Sequence, residues 1–101
     1  MNAYSPDFRK MPLSAIFYAL GDPVRLQIVL TLLEQKEISC GACKTRVSKS
    51  TMSHHFKVLR QAGLIQKREE GTVHYLSLKR SDITSRLPAL LKLLEKATGP
   101  L

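Results

Sequence analysis

Apolar residues first recur at helical spacing from Leu13, with Ile16, Phe17 and Leu20 following, and Gly21 stands where such a helix stops. Asp22-Pro23 then supplies an N-cap acceptor and the residue best suited to a first helical position, so a second helix is predicted, with Leu26, Ile28, Val29, Leu32 and Leu33 as its broad buried face. The pattern breaks around Gln35 to Ser39. The stretch from Cys40 to Val47 has room only for a short third helix. Ser48 reads as the cap of a fourth helix, Lys49 to Ala62, closed by Gly63. Met52, Phe56, Val58, Leu59 and Ala62 mark its buried side, which leaves Lys49, Ser50, Ser53, His54, Lys57 and Arg60 for the other faces.

Beyond Gly63 the period changes from helical to alternating. Leu64 to Glu69 reads as a strand, Glu70-Gly71 as a tight turn and Thr72 to Leu78 as the antiparallel partner. A last helix, capped by Ser81 or Asp82, carries a leucine-rich stripe of Ile83, Leu87, Leu90, Leu91 and Leu94. Pro88 predicts a bend, or the start of regular helix, within it. Residues 1–12, with Pro6, Arg9, Lys10 and Pro12 and no sustained period, are expected to form a flexible basic arm ahead of one domain over 13–98. The expected fold is mainly α with a β-hairpin, in the order α-α-α-α-β-β-α. That is the order of a winged helix-turn-helix, in which the fourth helix enters the major groove and the hairpin is the wing.

Composition narrows the function. A chain of 101 residues with 44% apolar and 24% charged residues holds one folded domain, too small for most multi-domain enzymes. Two cysteines do not make a secreted disulfide scaffold. Asp7, Pro6 and Pro12 interrupt any signal-peptide core, and no apolar run approaches the ~20 residues of a membrane span, so a cytoplasmic location is expected. The formal charge is +8, and nine of the sixteen cations (Lys44, Arg46, Lys49, Lys57, Arg60, Lys67, Arg68, Lys79 and Arg80) fall between Lys44 and Arg80, against only Glu69 and Glu70. Concentrating cations on the fourth helix and the wing points to duplex DNA as the partner. Ser50, Thr51, Ser53 and His54 are the candidates for base edges or nearby phosphates, and Lys49 and Lys57 for phosphate anchoring. Lys67, Arg68, Thr72 and His74 are the wing candidates for backbone or minor groove. His55, beside Phe56, reads as a residue packed under the helix, Tyr75 as hairpin packing and Arg25 as half of a structural ion pair.

Three segments carry a resemblance: Asp22-Pro23-Val24-Arg25-Leu26, the run Ser50 to Ile65 with Ser53-His54-His55 and Leu59 to Leu64 inside it, and Glu70-Gly71 followed by Tyr75. Together they resemble the ArsR/SmtB family of bacterial repressors across Leu13 to Leu94. The resemblance implies a homodimer joined by its first and last helices, here through Leu13, Ile16, Phe17, Leu20, Leu87, Leu90, Leu91 and Leu94. It also implies a palindromic operator, released when an inducer acts. Independently, the leucine stripe of the last helix exceeds what one hairpin covers.

Many members of that family sense metals through a Cys-x-Cys pair on the third helix or His and acidic ligands on the last. This chain has Cys40-Gly41-Ala42-Cys43, and its histidines are His54, His55 and His74, none on the last helix. Two thiolates under-fill a zinc site, so no resident metal or cofactor is expected, although Cys40 and Cys43 stay open as metal or metalloid ligands. Their spacing at a helix start also suits thiol oxidation, with the helix dipole, Lys44 and Arg46 lowering a thiol pKa. Two ordinary cysteines are the third reading. A disulfide oxidoreductase would need its C-x-x-C after a strand of a βαβ unit, so no enzymatic activity is expected. A winged-helix module that binds protein would show more aromatic anchors and fewer lysines.

Overall fold

The computed structural model describes residues 6–40, 47–97, 99 and 101. A 3₁₀ turn at Phe8–Lys10 precedes α1 (Leu13–Leu20) and α2 (Pro23–Glu34). Then come β1 (Ile38–Ser39), α3 (Lys49–Gln61), β2 (Ile65–Glu70), β3 (Val73–Leu78), α4 (Arg80–Arg86) and α5 (Pro88–Lys96). The short helix expected between Cys40 and Val47 falls largely, as residues 41–46, outside the described residues.

The helix ends follow from their capping residues. The Asp22 carboxylate accepts the backbone N–H groups of Val24 at 2.9 Å and Arg25 at 3.1 Å, and Pro23 has no N–H to leave unpaired. These bonds, the Arg25 amide first, hold the Asp22 carboxyl below the usual carboxylate range. Ser48 Oγ accepts the Thr51 N–H at 3.3 Å to open α3. At the other end the Gly63 N–H donates to Arg60 O at 2.9 Å and the Leu64 N–H to Leu59 O at 3.1 Å. This doubled closure requires a left-handed residue, and Gly63 supplies it with φ 76°.

The wing is an antiparallel hairpin in which Glu70 faces Val73, so its turn is Gly71-Thr72, one residue later than the sequence pattern suggests. Gly71 takes φ 61° while Thr72 keeps a negative φ, the combination of a two-residue type II′ turn. A third strand was not legible in the sequence: β1 pairs with β3, Ile38 opposite Leu76 and Ser39 opposite Tyr75, giving the order β1-β3-β2. Two residues offer no period to detect.

The core gathers Ile16 and Ala19 of α1, Ile28, Val29 and Leu32 of α2, and Met52, Phe56 and Leu59 of α3. Leu64, Ile65, Leu76 and Leu78 enter from the hairpin, with Ile83 of α4 and Leu94 of α5 behind them. Leu87 breaks the last helix in two, and Pro88 begins α5 at its first position, where a missing N–H costs nothing. The arm expected to be flexible over 1–12 is docked from residue 6 onward. Phe8 is fully buried, worth roughly 1.5–3 kcal/mol against leaving it in water. Arg86 Nη1 donates to the carbonyls of Phe8 (2.8 Å) and Met11, and Lys79 Nζ to that of Pro6 at 3.0 Å. Cations assigned by sequence to a DNA surface or to nothing in particular therefore hold the N-terminal segment in place.

Candidate nucleic-acid interface

Helix α3 turns Met52, His55, Phe56 and Leu59 inward, which leaves Ser50, Ser53, His54, Lys57 and Gln61 on the opposite face, all exposed. The helix contains no acidic residue. Its first turn is partly self-satisfied: Ser48 Oγ lies 3.0 Å from Thr51 Oγ1 and 3.2 Å from Ser50 Oγ, so those hydroxyls serve the cap as well as any ligand. Lys49 is exposed at the edge nearer the sheet. The side chains of Ser53 and Lys57 make no hydrogen bond or ion pair with another described residue. Donors of several kinds thus stand on one convex helical surface of a width that fits a major groove.

His55 faces the other way. It is 8% exposed, and its Nδ1 lies 3.2 Å from Arg25 Nη1. A guanidinium has only donors, so Nδ1 accepts and the ring proton resides on Nε2. Arg25, itself 7% exposed, also donates from Nε to Ala19 O at 2.7 Å and from Nη2 to Tyr18 O at 3.0 Å. The ion pair expected for Arg25 gives way to these neutral acceptors. Asp22 bonds its backbone amide instead. The guanidinium therefore ties the C-terminal end of α1 to the buried back of α3.

On the wing the cations are already engaged. Arg68 donates to Glu37 Oε1 at 2.6 Å and to Glu70 Oε2 at 2.7 Å, and stacks 4.5 Å above the Tyr75 ring. Lys67 and His74 stand 3.9 and 3.8 Å from the same Glu69 oxygen, and Thr72 lies exposed in the turn. Lys79 also approaches Asp82, and Arg80 donates to Leu32 O at 2.9 Å, so these two belong to the scaffold. Lys44 and Arg46 lie outside the described residues.

Between α3 and the sheet a cavity of about 390 Å³ includes Cys40, Met52, Phe56, Arg60, Lys67 and Leu76 in its lining. Arg60 Nε is buried there without a hydrogen-bond partner among the described residues. Burial pushes the Cys40 thiol up, with Lys67 and Arg60 opposing only in part, which reverses the lowering that a helix start suggested for Cys40. Cys43 is outside the description. Among the described residues no three His, Cys, Asp or Glu side chains gather as a metal would require, and no single helix is long and apolar enough to cross a membrane.

Away from α3, the first and last helices show apolar surface. Leu13 is 47% exposed, Phe17 61%, Tyr18 66% and Leu93 64%. Ile16 and Leu94, expected at a subunit interface, are core residues instead, and Leu20, Leu87, Leu90 and Leu91 are half-buried against that core. A heptad-like reading picks the stripe that faces the chain's own core. Tyr18 and Leu93, which the sequence reading did not single out, are the most exposed of these apolar side chains together with Phe17.

A polar, acid-free helix ahead of a two-stranded wing, on a scaffold of helices, defines a winged-helix DNA-binding regulator. The chain belongs to the ArsR family: the family of bacterial regulatory proteins named for arsR matches residues 22–67. It is 43% identical over 82 residues to the uncharacterized HTH-type transcriptional regulator YceK of Bacillus subtilis (strain 168), covering 78% of this chain and 82% of that one. It is 31% identical over 88 residues to the transcriptional repressor SdpR of the same organism, covering 85% and 97%. Among solved structures, HlyU from Vibrio cholerae N16961 superposes with a TM-score of 0.69 at 29% identity, covering 83% of this chain and 88% of that one.

Proposed function

We propose that two copies of the chain associate through α1 and α5 and place their α3 helices in successive major grooves of a palindromic operator, as a cytoplasmic repressor. The observation that carries this reading is the outward face of α3, where Ser53, His54 and Lys57 stand exposed on a helix without a carboxylate. Phe17, Tyr18 and Leu93 support the subunit contact, because solvent-facing aromatic and leucine side chains on the first and last helices are what a partner copy covers. The repressor assignment follows the name of SdpR.

Lys57→Gln is expected to weaken binding to every duplex sequence alike and to reduce the slope of log K against log salt by about 1.8, as for one lost phosphate contact in each of the two subunits. Fluorescence anisotropy over a salt series measures both. A wild-type slope removes Lys57 from the interface.

For the inducing signal we propose oxidation at Cys40 and Cys43. A form of HlyU solved as reduced supports attention to thiol state in this branch of the fold. Cys40 is half-buried and lines the cavity between α3 and the sheet, so a new covalent bond there would disturb the packing of α3. Its raised pKa leaves little thiolate at neutral pH, so oxidation is slow there and is expected to quicken about tenfold for each unit rise in pH until the thiol ionises. Operator affinity before and after peroxide tests this, with a drop expected in wild type and none in Cys40→Ser. Equal affinity in both states discards the thiol signal.

A further inference from the structure

The reading that the wing touches DNA rests on the proposed function, and it meets an electrostatic difficulty. Around the wing, three cations, Lys36, Lys67 and Arg68, are matched by three carboxylates, Glu37, Glu69 and Glu70, which leaves no spare positive charge for a phosphate. The strongest wing cation does not project from the tip at all. Arg68 sits on β2 directly opposite Tyr75 on β3, and its guanidinium crosses the Tyr75 ring to reach Glu37, which immediately precedes β1 on the far side of the sheet. One side chain thus spans the sheet from β2 to the β1 edge. A carboxylate at 2.6 Å occupies the planar fork that a phosphate oxygen would use.

We infer that Glu37 is an intramolecular competitor of the DNA backbone for Arg68, and so sets the affinity of the wing although it makes no DNA contact itself. In free protein the Glu37–Arg68 pair holds the guanidinium flat on the sheet. On DNA a phosphate exchanges for Glu37, while Glu70, on the same strand, is carried along with Arg68. All three side chains are substantially exposed, 34% for Glu37, 48% for Arg68 and 69% for Glu70, so water screens the pair and the exchange is reversible. Glu37 is a positioning residue in this scheme, acting only through Arg68.

The test measures anisotropy of labelled duplex DNA with wild type, Glu37→Gln, Arg68→Gln and the double variant, each over a salt series. Glu37→Gln is expected to bind about two- to five-fold tighter for each wing engaged at low salt, the size of one exposed ion pair, and the gain is expected to shrink as added salt screens that pair. In the Arg68→Gln background the same change is expected to do nothing. A gain that persists without Arg68 means that Glu37 merely repels phosphate, and overturns the inference. So does an unchanged affinity and slope in Glu37→Gln. Glu37→Gln keeps the shape of the side chain, and a thermal midpoint near wild type confirms that the readings refer to folded protein. Wild-type protein that binds no duplex sinks the function beneath the inference and the inference with it, whereas wild-type binding with no Glu37 effect sinks the inference alone.

Discussion

Arg25→Ala is expected to lower the unfolding free energy by about 3 kcal/mol, read from the urea midpoint at constant slope. The guanidinium is buried and donates to the Tyr18 and Ala19 carbonyls at the end of α1 and to His55 Nδ1, while its Cζ lies 5.2 Å from the centroid of the Tyr18 ring. Bonds to a charged donor are worth more than neutral ones, and truncation takes this donor from Ala19 O and His55 Nδ1, while Tyr18 O keeps the Gly21 N–H at 3.2 Å. Arg25→Lys separates charge from geometry. A single ammonium cannot reach three acceptors set around a planar fork, so lysine is expected to restore less than half of the loss. A deficit below about 1 kcal/mol for Arg25→Ala is incompatible with these contacts. The site also bears on the proposed function: the α1 that Arg25 fastens carries the exposed Phe17 and Tyr18, and the α3 that it fastens carries the face proposed to meet DNA. A folded Arg25→Lys protein should therefore lose DNA affinity without losing any DNA contact.

The features legible in the sequence are those with local causes. Asp22-Pro23 and Ser48 announced helix starts because their side chains act within three residues, and Gly63 announced a stop because the left-handed turn there needs it. The exposed face of α3 was legible for the same reason, since thirteen residues give several turns of period. What escaped depends on distant partners. Nothing near Glu37 says that Arg68, thirty-one residues later, will cross the sheet to it. The wing charge was read as available when it is held internally. His55 and Arg25 meet across thirty residues, so a carboxylate was expected where an imidazole and two carbonyls stand. Likewise the arm looked loose because it has no sustained period, yet Phe8, with Arg86 and Lys79 from the far end of the chain holding the backbone beside it, docks the segment.

That docking makes Gly63 the second sensitive position. Gly63→Ala is expected to cost about 2–4 kcal/mol, from about 1 kcal/mol or more of left-handed backbone strain and a further 1–3 kcal/mol of overpacking. A Cβ at Gly63 would stand 2.7 Å from Phe8 Cα, 2.8 Å from Phe8 N and 3.0 Å from Pro6 O, all backbone atoms that no rotamer change can move. The N-terminal segment must retreat, which exposes Phe8 and breaks the bonds from Arg86 and Lys79. Gly63→Asn divides the two causes, because asparagine tolerates positive φ yet carries the same Cβ. If close approach dominates, Gly63→Asn recovers no more than about 1 kcal/mol of the alanine loss. Hydrogen exchange in either variant should then show amides of residues 8–11 losing protection while those of α2 keep theirs. An asparagine variant with wild-type stability and a protected N-terminal segment would mean that the helix turn alone demands glycine and that the contact with Phe8 is slack. The closeness of three backbone atoms argues for the opposite result: the same residue that ends the DNA-facing helix also seats the N-terminal segment beneath it.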